Sequence, residues 1–382
     1  MPVSTLESWR ANKGLITAEL NADDDGVVRT SAKERKLAKY KEYLPSWDPK
    51  DKFPPHSFVK YEDPALKADP KFPHLLTSGV EISPITPKLG SEITGLQLSE
   101  LDDAGKDELA LLTAERGVLI LRNQDFVDKG PGYIEEYGKH FGELHVHHSS
   151  PAPEGHPYIH VVYKNVIKED SEKSFEQTLT SVFFHTDITF ELQPSGYTFF
   201  AVLDAPRSGG DTLFGDAIEI FDRLSPSLQE YLSGLHAVHG IPPNSDAFSP
   251  DPTKRILRHE IQEVIHPVVR VHPVLKKKVL NVNKVFTRKI VELKKPESDA
   301  LLSFLYQVID NAHDAQVRAN WKPGTVVVWD NRRLYHAGVY DFDSSESTRH
   351  HVRVTPLAER PVEDLKYLND PNYYPIGTKP GK

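Results

Sequence analysis

The stretch Phe183-Phe184-His185-Thr186-Asp187-Ile188-Thr189-Phe190 constrains this chain more than any other. Apolar and β-branched residues bracket a His-x-Asp triplet, which predicts a buried strand running into the edge of a site. On a strand, residues i and i+2 point the same way, so His185 and Asp187 are expected on one face. An imidazole beside a carboxylate is two thirds of the two-His, one-carboxylate set that holds non-haem Fe(II) with open coordination positions. The third ligand has to come from elsewhere. About one His-x-Asp triplet arises by chance in a chain of this length, so a surface or capping His beside a turn Asp is the competing reading.

Later stretches shift the balance. Ser208-Gly209-Gly210-Asp211-Thr212 is a turn, and Val326-Val327-Val328-Trp329-Asp330-Asn331-Arg332-Arg333-Leu334-Tyr335-His336 is an apolar strand leading to a second His. Arg349 and Arg353 follow on another strand-like run, where i and i+4 share a face and both can reach inward. On the residues alone, His336 also fits a satisfied core His and Arg353 a salt-bridge partner for Asp341 or Asp343. His147 also fits a structural role, and Phe286 a core aromatic.

A formal charge of -9 argues against a nucleic-acid or anionic-membrane binder. No run approaches the roughly 18 apolar residues of a membrane helix. Residues 1–30 lack the apolar core of a signal peptide, so a cytoplasmic protein is expected. Cys is 0 and Met is 1, the initiator Met1, where ordinary usage gives on the order of a dozen sulfur residues. That excludes thiolate metal sites and thiol nucleophiles. Two explanations stand level: resistance to oxidation beside a reactive metal, or a protein made when sulfur is scarce.

Residues 1–78 are polar and Pro-interrupted, with a charged helical piece near Ser31 to Tyr43, and read as an arm lying over the domain or partly disordered. A dimer contact through this arm, and so a homo-oligomer, stays open. Residues 79–360 read as the folded domain and 361–382 as a tail. Within the domain, Asp102 or Asp103 is expected to cap a helix through Glu115, Gly117 to release the chain into the strand Val118 to Leu121, and Pro296 to Ile309 to form an apolar-striped helix. The charged segment 164–173 reads as a lid. Many short strands and few helices predict a mainly β fold with flanking helices, a double-stranded β-helix of the jelly-roll, cupin-like kind.

Taken together, His185-Thr-Asp187, Gly209-Gly-Asp-Thr212, Trp329-Asp-Asn-Arg-x-x-x-His336 and the Arg349/Arg353 pair resemble the taurine dioxygenase (TauD/TfdA) family of Fe(II)- and 2-oxoglutarate-dependent oxygenases. The similarity runs from roughly Gly79 to Ala358 and includes Phe141-Gly-Glu-Leu-His145, His266-Pro-Val-Val-Arg-x-His-Pro273 and Phe286-Thr-Arg288.

The resemblance implies that His185, Asp187 and His336 bind Fe(II), with the remaining positions for 2-oxoglutarate and O2. It implies that Arg349 holds the distal carboxylate of 2-oxoglutarate, with Thr212 donating to the same co-substrate. Arg353 would bind a substrate sulfonate, His147 would hydrogen-bond it, and Phe286 would pack on the substrate. Ser181 takes the place of a family Asn four residues before the first ligand, Ser150 that of a Tyr, and Phe184 that of a Trp. The implied reaction hydroxylates the carbon bearing the sulfonate of taurine or another alkanesulfonate, releasing sulfite and an aldehyde for sulfur acquisition. A sister activity on an alkyl sulfate ester or phenoxyacetate-like anion, or a non-catalytic iron-binding sensor, are the alternatives.

Overall fold

The computed structural model describes residues 20–164, 183–241, 257–339, 341–342 and 348–375. Strands dominate. In chain order they begin with β1 (Leu20–Ala22), β2 (Val28–Thr30), helix α1 (Ala32–Leu37), β3 (Pro45–Trp47), β4 (Glu81–Pro84), β5 (Ser91–Thr94), α2 (Asp103–Arg116), β6 (Val118–Leu121) and α3 (Pro131–Lys139). Next come β7 (Ala152–Pro153), β8 (Ile159–Lys164), β9 (Tyr197–Asp204), β10 (Thr212–Asp216), α4 (Ala217–Asp222), α5 (Pro226–Ser233), β11 (His236–His239), β12 (Val264–Pro267) and the hairpin β13 (Val269–Val271) and β14 (Lys278–Leu280). The series closes with β15 (Thr287–Ile290), α6 (Lys295–Asn311), β16 (Gln316–Ala319), β17 (Thr325–Asp330), β18 (Leu334–Gly338) and β19 (Arg349–Val354).

A seven-stranded sheet in the order β4-β5-β6-β17-β9-β19-β8 is the backbone of the molecule, antiparallel except for the β5–β6 pair. Smaller sheets β16-β10-β18 and β12-β11-β15 accompany it. The sequence of β17 explains its central place. Val326 and Val328 enter one core with Leu119, Leu121 and Phe199, while Val327 and Trp329 enter another with Ile120, Val202 and Phe214. A strand buried on both faces has to be apolar at every position, which is the run seen in the sequence.

The helix expected after Asp102 forms as read. The Asp102 carboxylate accepts from the Gly105 N–H at 2.8 Å, and Gly117 ends the helix at φ +75°, a left-handed backbone that suits glycine. In α6, Leu302, Leu305 and Ile309 are the buried stripe.

One expectation is corrected. Residues 183–190 are not a strand: His185 alone makes a β-bridge, to His336, and the chain then turns, with Ile188 at φ +48°. The N-terminal stretch contributes to the core from residue 28 on. β1, β2 and β3 form a sheet with β7, and Val28, Tyr43, Leu44, Trp47, Ala65 and Leu75 join the main apolar cluster. Val28 enters from β2, Tyr43 and Leu44 from the turn before β3 and Trp47 from β3, so no single period links them in the sequence. Ser181, and the expected lid 164–173 apart from Lys164, lie outside the described residues. Among the described residues no helix is long and apolar enough to cross a membrane.

Candidate metal and substrate site

His185, Asp187 and His336 converge. Their candidate ligand atoms lie within 4.8 Å of one another, with His185 Nε2 at 3.8 Å and His336 Nε2 at 3.6 Å from Asp187 Oδ1. The two histidines are joined through the backbone, His185 N–H to the His336 carbonyl at 3.1 Å and His336 N–H to the His185 carbonyl at 2.8 Å. Strand β18 fixes His336 opposite Phe214 of β10. The turn after His185 then brings Asp187 round to the same point, so the pair shares a face through a bridge and a turn rather than a strand.

Asn331 holds that turn, a role the sequence reading did not assign. Its Oδ1 accepts from the Asp187 N–H at 2.9 Å, and its Nδ2 donates to the Asp187 carbonyl at 3.1 Å and to Ser195 Oγ at 2.8 Å. The signal was present as the Asn of the Trp-Asp-Asn-Arg run, but its partners are far away in sequence.

The protonation states suit a divalent cation. Burial drives the His336 imidazole down to about 3, and burial also lowers His185, so both rings are neutral near pH 7 and offer lone pairs. Burial is the largest single influence on Asp187 and opposes its ionisation, but the Arg353 guanidinium together with His336, His185 and His160 outweighs it and holds the carboxyl well below the usual range. The His185 Nδ1–H faces the Phe183 carbonyl at 3.0 Å, the outer contact that aims Nε2 at a metal. Two neutral imidazoles and one carboxylate on one side of a centre are the donor set Fe(II) takes in this geometry, so the residues fit the ion.

The remaining candidates fall in two groups. Arg353 lies at the centre, its Nη1 donating to Asp187 Oδ2 at 2.7 Å. Phe286 stands with its ring edge-on to His185 at 6.0 Å and to Phe190 at 5.0 Å. His147 Nδ1 accepts from the N–H groups of Ser149 and Ser150 at 3.3 and 3.1 Å, and its ring meets His160, the residue opposite Arg353 on β8. Burial keeps His147 well below its ordinary value, so the ring is neutral with its proton on Nε2. Further along β19, Arg349 donates to the Gly210 carbonyl at 3.2 Å, beside Thr212. The turn there leaves no room for a side chain: a Cβ on Gly209, at φ +78°, would come within 2.7 Å of the Asp341 carbonyl oxygen. His351, between the two arginines and buried against Phe200, was also unforeseen.

The family model described as taurine catabolism dioxygenase TauD, TfdA family matches residues 81–355. This chain belongs to that family. An alpha-ketoglutarate-dependent sulfonate dioxygenase of Saccharomyces cerevisiae is 50% identical over 354 residues, covering 92% of this chain and 85% of the relative. An alpha-ketoglutarate-dependent dioxygenase, cnsM, of Penicillium expansum is 41% identical over 329 residues, covering 85% and 91%. The crystal structure of a taurine dioxygenase from Burkholderia xenovorans superposes with a TM-score of 0.61 at 26% identity, covering 74% of this chain and 92% of that one. The chain is an Fe(II)- and 2-oxoglutarate-dependent dioxygenase.

Proposed function

We propose that this enzyme hydroxylates the carbon next to a sulfonate, so that sulfite and an aldehyde are released for sulfur acquisition. The observation that carries the reading is the placement of Arg353 against Asp187. A permanently charged, planar donor beside the metal set suits a substrate whose anionic head sits one bond from the carbon to be oxidised. The yeast relative named for sulfonates supports the substrate class, and so does a chain with Cys 0 and Met 1.

His185, Asp187 and His336 hold the metal. Bound there, Fe(II) supplies the redox chemistry by which O2 converts 2-oxoglutarate to succinate and CO2 and hydroxylates the substrate carbon. Arg349 pairs with the distal carboxylate of 2-oxoglutarate, and the Thr212 hydroxyl donates to the same molecule. Arg353 turns from Asp187 toward the sulfonate, His147 Nε2–H adds a second donor, and Phe286 walls the carbon chain. The hydroxylated carbon then loses sulfite: the C–S pair leaves on sulfur, the hydroxyl proton departs, and a C=O bond forms.

The same reading treats the seven-stranded sheet and β16-β10-β18 as the two walls of a double-stranded β-helix over residues 79–360. It places the enzyme in the cytoplasm with a small anionic organosulfur substrate.

The test is sulfite release from taurine, longer alkanesulfonates, aromatic sulfonates and alkyl sulfates, with Fe(II) and 2-oxoglutarate. Sulfite from a sulfonate is the expected result. Sulfate from the alkyl sulfates alone would move the enzyme to sulfate esters, and succinate that no sulfur compound stimulates would remove the sulfur role.

A further inference from the structure

A second group of imidazoles lies outside the site described above. His56, His145 and His259 bring their candidate ligand atoms within 4.8 Å of one another, the same bound that holds for His185, Asp187 and His336. A carboxylate lies against two of the three. Glu191 Oε1 lies 3.2 Å from His145 Nε2 and 3.8 Å from His259 Nε2. The rings of His56 and His145 stack at 4.9 Å, and His259 stands edge-on to both.

We propose that His56, His145, His259 and Glu191 form a second metal site, a structural one of the Zn2+ class, distinct from the iron centre.

Three features support it. The Nε2 of His56 is enclosed and has no hydrogen-bond partner, an orphan that a buried polar atom rarely remains and that a metal bond would satisfy. His259 has a carbonyl at each ring nitrogen, Glu260 at 3.0 Å from Nδ1 and Val146 at 3.0 Å from Nε2; with its proton kept on Nδ1, Nε2 exchanges the Val146 contact for the metal. The donor set of three nitrogens and one oxygen is that of a four-coordinate zinc ion, and donors about 2.0–2.1 Å from such an ion stand roughly 3.4 Å apart. The three imidazole donors close to that spacing from within 4.8 Å of one another, and Glu191 Oε1 joins from 3.2 and 3.8 Å of two of them.

The placement gives the ion a task. The four residues come from the N-terminal stretch, the chain before β7, the turn after the iron-site aspartate and the chain before β12. Next in line, His148 stands edge-on to Phe190 at 5.1 Å, and Phe190 edge-on to Phe286 at 5.0 Å. A metal here ties distant segments together behind the aromatic wall of the substrate pocket.

The proposal does not depend on the iron reading, and its test separates the two. Metal content is measured by mass spectrometry on tag-free protein after equilibration with micromolar Zn2+ and gel filtration. The wild type is expected to hold two equivalents, the double variant H185A/H336A one, and H56Q one. Co2+ substituted into H185A/H336A is expected to give the intense visible bands of a tetrahedral ion, abolished by adding H259Q. A double variant that retains no metal and shows no tetrahedral Co2+ spectrum would overturn the proposal, whether or not H56Q and H259Q fold. So would H56Q holding the same two equivalents as the wild type.

Discussion

Asn331 clamps the backbone of Asp187 from both sides, accepting from its N–H at 2.9 Å and donating to its carbonyl at 3.1 Å. The next residue, Ile188, sits at φ +48°, a conformation that costs a β-branched residue energy and persists only when its surroundings impose it. Asn331 imposes it, so the carboxylate that would hold the metal is aimed by a residue that does not touch it. Asn331→Ala is expected to lower stability by about 2–4 kcal/mol, since buried partners lose their bonds, and iron affinity by roughly 10- to 100-fold, as loss of an outer contact does. Denaturant unfolding and an anaerobic iron titration read the two separately.

Arg353 has two partners in turn, Asp187 without substrate and the anion with it. Arg353→Ala is therefore expected to cut kcat/KM by roughly 30- to 1000-fold, about 2–4 kcal/mol for a lost charged contact, while iron content stays at the wild-type level. Loss of iron together with activity would assign Arg353 to the metal set and not to the substrate.

Arg349 is tested by keeping its charge. In Arg349→Lys the planar fork is gone but the cation remains, so the KM for 2-oxoglutarate is expected to rise about tenfold or more, roughly 1.4 kcal/mol per decade. The KM for the sulfonate should move far less. Equal shifts in both constants would contradict the separation of the two arginines along β19.

Acid is expected to unfold this protein early. Burial pushes His266 down to about 3 and His350 to about 4, and drives His239 and His351 well below their ordinary value. In the unfolded chain each takes up a proton near pH 6.5, while the folded protein refuses it, so unfolding binds protons and acid favours it. The stability is fully present above about pH 6.5 and is lost as pH falls toward the folded values. Each such group contributes a slope of about 1.4 kcal/mol per pH unit. Urea midpoints measured between pH 7.5 and 5 should fall steeply, and less steeply in His350→Gln.

The parts of the fold that could be read from sequence are those whose cause is local. β17 announces itself because both faces are buried, and α2 because Asp102 and Gly117 mark its ends. The convergence of His185, Asp187 and His336 was legible from residue type and order. The turn at Ile188 was not, since its backbone is set by Asn331 and not by the preference of isoleucine. Nor was the core role of Tyr43 and Trp47, which enter from a Pro-interrupted stretch with no period to follow. His56, His145, Glu191 and His259 meet only in three dimensions.

Oxidation of 2-oxoglutarate at His185, Asp187 and His336 is expected to be coupled to breaking a C–S bond. The direct measurement is succinate and sulfite counted together in one reaction, with Fe(II), 2-oxoglutarate and the best sulfonate of the panel. Equal amounts of the two products, both lost in His336→Ala, are the predicted result. Succinate formed without sulfite from every sulfonate, or sulfite release that survives His336→Ala, would contradict it.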